Sequence, residues 1–418
     1  MPEHESDRRQ APPSLKGADW LERPETQAIF DALAVGEVET RVVGGAVRNA
    51  FLKLPVAEVD LATTATPQEV IALAEKAGLK AVPTGIEHGT VTVIADNTPF
   101  EVTTLRRDVE TFGRHAQVAF TTDWEEDARR RDFTLNALYA ASDGTMFDPL
   151  GGYGDLVAGR VRFIGEAGAR IAEDYLRILR FFRFNAYYGK GPLDADGLAA
   201  CVRLRAGLEQ LSAERVASEL KRILIAPQAV QAIEALFDNG LLTGLLGGVP
   251  RLMRFARLVA AEEALGLARD AALRLAALAV FVPEDAERLA ARLHLSNAEQ
   301  ALLLLGAADH DGCALPDETA ARRALYRLGP CKFEAHVLLA AADEGAAPDD
   351  RLWRQALRLA DRWQVPEFPV RGPDIIALGH VQGPEIGDML RRLEAEWIAS
   401  DFTLDREALL ARAKQLRN

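Results

Sequence analysis

Val42-Val43-Gly44-Gly45-Ala46-Val47-Arg48-Asn49 ends a strand on two glycines and starts a helix. Glycines at such a turn let the backbone approach a ligand closely, and the helix that follows favours an anion at its first amides. Arg48, one turn in, adds a positive charge. A tight strand-to-helix turn with no ligand is the competing reading. The G-x-G-x-x-G spacing of a dinucleotide fold is absent.

Working outward, Thr40–Val43 reads as a strand, Ala46–Lys53 as a helix and Glu58–Ala62 as a second strand. Pro67–Ala77 reads as a helix, with Thr66 as cap and proline at its first position. Thr90–Ala95 and Phe100–Leu105 alternate β-branched residues about Asp96-Asn97-Thr98-Pro99, which predicts a hairpin. After Gly151-Gly152 strand signals nearly vanish, and apolar residues recur at helical spacing to the C-terminus. The expected fold class is therefore α+β, an α/β head followed by an all-helical remainder. The boundaries are a loose leader over 1–24, the head over 25–150, a helical neck over 151–228, and a helical body and tail over 229–418.

Composition narrows the classes. Across 418 residues, 49% are hydrophobic and 27% charged, as in a globular protein with a substantial core. No apolar run approaches the roughly 18 residues of a membrane helix, and the N-terminus lacks the apolar stretch of a secretory signal. Cys201, Cys313 and Cys331 lack metal-ligand spacing and fit free thiols in a reducing cytoplasm. A net charge of −13 repels polyanions, so any nucleic acid must be held by local basic patches.

Three further stretches carry chemistry. Glu58-Val59-Asp60 puts two carboxylates on one face of a strand, a donor set that suits Mg²⁺ on a phosphate substrate. Glu101 on the hairpin is a third candidate. Arg129-Arg130-Arg131-Asp132-Phe133-Thr134-Leu135-Asn136-Ala137 suits clamping of a triphosphate, because guanidinium grips phosphate oxygens in pairs. Glu173-Asp174 followed by Arg177, Arg180 and Arg183 reads as an arginine ladder on one helix face. There an aspartate accepts from the exocyclic amine of cytosine or adenine while an arginine donates to the neighbouring acceptor, and uracil and guanine mismatch both. Each stretch also has a bland reading: an acidic edge strand, a solvated charge run balanced by Glu125, Glu126 and Asp127, and a helix with i,i+3 ion pairs.

The order and spacing of these stretches resemble the class II tRNA nucleotidyltransferases. That family comprises CCA-adding enzymes and bacterial poly(A) polymerases, within the DNA polymerase beta superfamily. The likeness is dense over 26–225. It includes Thr63-Thr64-Ala65-Thr66-Pro67, Phe100-Glu101-Val102-Thr103-Thr104-Leu105-Arg106 and Ser212-Ala213-Glu214-Arg215-Val216. It implies a nucleotidyltransferase head with helical neck, body and tail, adding C and A to the tRNA 3′ end from CTP and ATP with Mg²⁺. By position it implies that Gly45 and Arg48 contact the triphosphate and that Glu58 and Asp60 hold the metal. Arg131 would bind nucleotide and Asp132 sense the ribose 2′-hydroxyl. Asp174 and Arg177 would read the base, with Arg180 and Arg183 supporting nucleotide and primer. Glu214 and Arg215 would stabilise the neck, and Arg107–His115 would be a loop that helps switch base specificity. The sequence departs from the family at Glu58, Asn49 and Phe112, where acidic residues (aspartate at the first two) are usual.

Addition of A alone is the alternative within the family. A catalytically weakened RNA-binding protein and a helical metal phosphohydrolase, prompted by His310-Asp311, are alternatives outside it. In the tail, Arg351, Arg354, Arg358 and Arg362 recur at helical spacing and are expected to grip tRNA phosphates, against the reading of a solvated face.

Overall fold

The computed structural model describes residues 13–112, 115–307, 317–378 and 383–416, with the side chains of 108–118 outside that description. The chain divides into two compact units, Met1–Leu241 and Leu242–Asn418. The helix Ala229–Asp238, placed by the sequence at the start of the body, belongs to the first unit and packs on the helix Leu176–Tyr188.

The first unit is built on a seven-stranded mixed sheet. In chain order its strands are β1 (Thr40–Val43), β2 (Leu61–Thr63), β3 (Lys80–Gly85), β4 (Thr90–Ala95), β5 (Thr98–Thr104), β8 (Tyr139–Ala140) and β9 (Met146–Phe147). Their spatial order is β3-β4-β5-β2-β1-β8-β9. β1 runs antiparallel to β2 and β8, while β2 pairs parallel to β5 with Leu61 opposite Val102. Between β5 and β8 the chain forms a separate ribbon, β6 (Arg106–Phe112) with β7 (His115–Phe120). The segment expected as a specificity loop falls on this ribbon, and Phe112's side chain lies outside the described residues, as do His310 and Asp311.

Local chemistry explains the elements that were foreseen. Asp96 and Asn97 both take positive φ, 45° and 61°, the two left-handed residues of a primed hairpin turn, so Ala95 faces Thr98. Helix α1 (Gly45–Phe51) leaves β1 through Gly44 at φ 70°. Helix α2 (Pro67–Lys76) opens with a capping box between Thr66 and Glu69, and helix α3 (Trp124–Arg129), not itself foreseen, opens on Asp123, whose side chain accepts from the Glu125 and Glu126 amides.

Three expectations are corrected. The described part of the leader expected over 1–24 is not loose: Leu15 donates to the Gly144 carbonyl at 2.8 Å, and Trp20 and Leu21 are buried. Their apolar surface outweighs the polar texture that suggested a loose segment. The second strand starts at Leu61, not Glu58, and residues 54–60 carry no regular pairing. Only the Asp60 carbonyl joins the ladder, accepting from Val43 N–H at 2.9 Å, because its partner strand ends at Val43 and Gly44 turns the chain into a helix. Asp174 stands off the helix expected to carry it. It ends helix α4 (Ala167–Glu173) with extended backbone, and its carboxylate accepts from Leu176 N–H at 3.1 Å, starting helix α5 (Leu176–Tyr188).

The neck is one aromatic seam. Phe181, Phe182 and Phe184 of α5 are buried; Phe133 from the head packs on Phe184 at 5.0 Å, and Phe163 stacks on Phe181 at 5.5 Å. Helix α6 (Ala213–Leu224) covers α5 with Val216, Leu220 and Ile223. Every described element of the second unit is helical. Its 27-residue segment Glu318–Glu344 breaks at Gly329, φ 72°, before Pro330. Arg274 and Glu262 form an ion pair there, buried from solvent, at 2.6 Å. No helix of the described residues is long and apolar enough to cross a membrane.

Candidate active site

A cavity of about 520 Å³ opens in the first unit. Gly44, Gly45, Arg48, Asp60, Glu101, Arg131, Asp132, Asp174, Arg177, Arg180 and Arg215 line it. One concavity therefore gathers most of the residues singled out in the sequence. Glu58 and Arg183 are not on its wall: Glu58 is exposed on the stretch before β2, and Arg183 turns to Glu219 at 2.5 Å.

At the acidic end, the parallel register that sets Leu61 beside Val102 carries back one residue, so Asp60 neighbours Glu101. Thr103, two residues on, shares the cleft wall, as strand alternation requires. Asp60 as a whole residue is exposed. Even so, removal of its carboxyl from water at the cleft wall, then repulsion from Glu101 and Glu58, pushes it up to about 6 against the pull of Arg131. Among the described residues no three ligating side chains close on one point. The donor set still fits a hard divalent cation. It offers one or two carboxylates under mutual repulsion, and substrate phosphate and water can complete the shell.

At the basic end each guanidinium has its own holder. Arg48 is buried on α1 and donates to Asn136 Oδ1 at 2.5 Å, Tyr188 Oη at 2.8 Å and Asn49 Oδ1 at 3.0 Å. All three acceptors are neutral, and burial depresses the Arg48 guanidinium. Arg131 pairs with Asp127 at 3.0 Å and donates to Tyr139 Oη at 3.3 Å, while Tyr139 donates to Asp127 at 2.8 Å. Asp132 accepts from Phe133 N–H and Asn136 Nδ2 on one oxygen and from Arg180 Nε and Nη2 on the other. Burial alone would raise its carboxyl; Arg180, Asn136 and the Phe133 amide hold it below the ordinary value.

The pair expected to read the base, Asp174 and Arg177, is not one bonded unit. Asp174 pairs with Arg215 at 2.7 Å, so Arg215, expected only as a neck residue, reaches the cleft. Arg177 pairs with Glu173 and donates to the Arg170 carbonyl. Both still face the cavity. Sequence reasoning missed Asn136, Tyr188 and Glu219 as holders. It read Asp127 only as charge balance, although its i+3 and i+4 spacing to Arg130 and Arg131 was a usable signal.

A glycine turn beside paired carboxylates, facing a wall of arginines, defines a nucleotidyltransferase head. Comparison with known proteins agrees. Residues 40–162 match the family described as "Poly A polymerase head domain", and 193–253 match "Probable RNA and SrmB- binding site of polymerase A". The mitochondrial CCA tRNA nucleotidyltransferase 1 of Mus musculus is 36% identical over 94% of this chain and 93% of its own length, and that of Homo sapiens is 34% identical over the same shares. The CCA-adding enzyme of Bacillus stearothermophilus, solved in complex with CTP, superposes with TM-score 0.72 at 28% identity, covering 94% of this chain and 98% of that one. The Thermotoga maritima enzyme, complexed with tRNA, shares the fold with TM-score 0.67 at 19% identity, covering 95% and 96%. The chain belongs to the CCA tRNA nucleotidyltransferase family.

Proposed function

We propose that this protein adds C and A to the 3′ end of tRNA from CTP and ATP and releases pyrophosphate. The observation that carries the reading is the shared wall: Asp174 and Arg177 face the same cavity as Asp60, Glu101, Arg48 and Arg131. A base held at the first pair leaves its phosphates toward the arginines and carboxylates. The relatives that span the chain at full length are named for CCA rather than for A alone, which favours addition of both bases.

In this reading Arg48 and Arg131 grip the triphosphate, with Gly45 letting it approach the start of α1. Asp174 accepts the exocyclic amine, and Arg177 donates beside it. Arg180 holds Asp132, whose four acceptor positions are all filled, so Asp132 meets a ribose hydroxyl only by releasing a present partner. Arg183, turned to Glu219, supports through the neck rather than by contact. Mg²⁺ held by Asp60 and Glu58, with Glu101 beside them, would lower the pKa of the attacking tRNA hydroxyl and stabilise the leaving oxygens. Arg351, Arg354, Arg358 and Arg362 grip the tRNA backbone. Their side chains are exposed, but they do not share one helix face as expected: Arg351 and Arg354 lie on the helix Arg351–Leu357, Arg358 caps it, and Arg362 ends the next short helix, Leu359–Arg362; Trp353, Ala356 and Leu359 are buried. The free thiols of Cys201 and Cys331 suit a reducing cytoplasm, where we place the protein.

The test uses purified protein with Mg²⁺, tRNA lacking its 3′ end, and each labelled nucleotide in turn. CTP and ATP together should restore the full terminus, and UTP and GTP should not enter. Incorporation of A alone, or of none, overturns the reading.

A further inference from the structure

The floor of the cleft holds an unbroken chain of side-chain hydrogen bonds. Arg48 donates to Asn136 Oδ1 at 2.5 Å, Asn136 Nδ2 donates to Asp132 Oδ1 at 2.8 Å, and Arg180 donates to Asp132 Oδ2 at 2.8 and 2.5 Å. Its ends lie on different elements, Arg48 on α1 behind the glycine turn and Arg180 on α5 beside the base-reading pair. Arg48, Asp132 and Asn136 are each only 8% exposed, so the two bonds among them meet little competition from water, while Arg180 at the far end is 30% exposed.

We propose that Asn136 is a positioning residue for the incoming nucleotide, coupling the arginine that meets its phosphates to the helix that meets its base. This rests on the nucleotidyltransferase reading above. An amide is the one side chain of this size that accepts on one side and donates on the other while carrying no charge. Its oxygen meets an arginine and its nitrogen meets a carboxylate, so the amide orientation is fixed by both neighbours. An aspartate there would present only acceptors, opposing Asp132 and drawing the Arg48 charge away from phosphate. An apolar residue would leave the buried Arg48 Nη1 without this acceptor and Asp132 without this donor. Asn49 and Tyr188, the other partners of Arg48, are neutral too, so the guanidinium charge stays available to an anion. The Asn136 carbonyl also lies against the turn itself, 3.6 Å from where a Cβ on Gly44 would stand. A shift of Asn136 therefore moves the turn, Arg48 and the Asp132–Arg180 pair together.

The test compares the parent, Asn136→Asp, Asn136→Leu, Asp132→Asn and the double variant Asn136→Asp/Asp132→Asn in the full chain. Melting temperature, KM for CTP, ATP and tRNA, kcat, and inhibition by pyrophosphate are measured for each. Asn136→Asp keeps the shape and should fold, so it carries the test even if Asn136→Leu does not. Loss of a buried charged hydrogen bond predicts a rise of about tenfold or more in KM for CTP and ATP and in the inhibition constant for pyrophosphate. KM for tRNA and kcat at saturating nucleotide should stay near the parent values. The double variant restores one donor facing one acceptor and the parent net charge, so it should bind nucleotide better than Asn136→Asp alone. A structural role alone would lower the melting temperature without this split or this rescue. Parental nucleotide KM in Asn136→Asp, or a double variant no better than that single one, overturns the proposal. A parent that incorporates neither C nor A fails the reading of the reaction instead, and the two failures are read from different samples.

Discussion

Replacing Asp127 by asparagine should cost stability in a pH-dependent way that reveals how the arginine motif is held. The Asp127 side chain is 1% exposed and accepts from Arg130 at 2.7 Å, Arg131 at 3.0 Å and Tyr139 Oη at 2.8 Å. Burial alone would raise its carboxyl, but Arg131, Arg130 and Tyr139 outweigh that and hold it down to about 2. In the unfolded chain an aspartate titrates near 4, so the folded group is the more acidic. Its charge-linked stabilisation is complete above about pH 4 and is lost as the pH falls through about 2. The interval between the ordinary 3.8 and about 2 amounts to about 2 kcal/mol. Asparagine keeps the shape but removes the charge, leaving Arg131 and Arg130 against an amide; breaking one partner of a buried pair costs about 3–5 kcal/mol. The assay is denaturant unfolding followed by the fluorescence of Trp124, whose ring meets that of Tyr139 edge-on at 5.3 Å, with the remaining tryptophans replaced by phenylalanine in both proteins. Asp127→Asn should be less stable by about 3–5 kcal/mol at pH 7, and the gap should narrow by about 2 kcal/mol between pH 5 and pH 2. A gap that stays constant over that range would refute the claim that an ionised Asp127 holds Arg131.

Asp60→Ala should abolish incorporation while melting and tRNA binding stay parental, whereas Glu58→Asp should remain active; retention of more than a few per cent activity in Asp60→Ala removes the metal role from that residue. Asp174→Ala should lose discrimination against UTP and GTP, by orders of magnitude where a designed hydrogen-bonding partner is removed. Parental preference for CTP and ATP would move base reading elsewhere in the cleft. Charge reversal at Arg354 and Arg358, both exposed, should weaken tRNA binding and flatten its salt dependence by roughly one unit of slope per lost contact. An unchanged affinity and slope would make that face a soluble surface only.

What could be read in advance was what short-range chemistry decides. Asp96-Asn97 needs no partner beyond its own strands to form its turn, and Thr66, Pro67 and Glu69 start a helix by themselves. The site was legible as a set of residues, because glycines at a strand end and charges at fixed spacing leave marks in the chain. Its wiring was not, because the holders come from far away: Asp132 meets Arg180 across 48 positions, and Arg183 meets Glu219 across 36. Even near in sequence, periodicity pointed to the wrong pair. The three-residue spacing of Asp174 and Arg177 suggested one helix face. Yet the aspartate caps the helix and meets Arg215, while Arg177 takes Glu173, four residues back. The arginine run shows the same sorting. Arg129 lies in solvent with Glu125, whereas Arg130 and Arg131 share the buried Asp127. Three identical charges in a row thus acquire different surroundings from which acid each one reaches. Arg130 and Arg131, held from behind by an acid out of water's reach, both line the cavity, and Arg131 stands next to Gly44 in it. A guanidinium fixed in this way can meet a phosphate with little loss of side-chain freedom, so under the proposed function the acid behind it bears on nucleotide affinity along with the arginine.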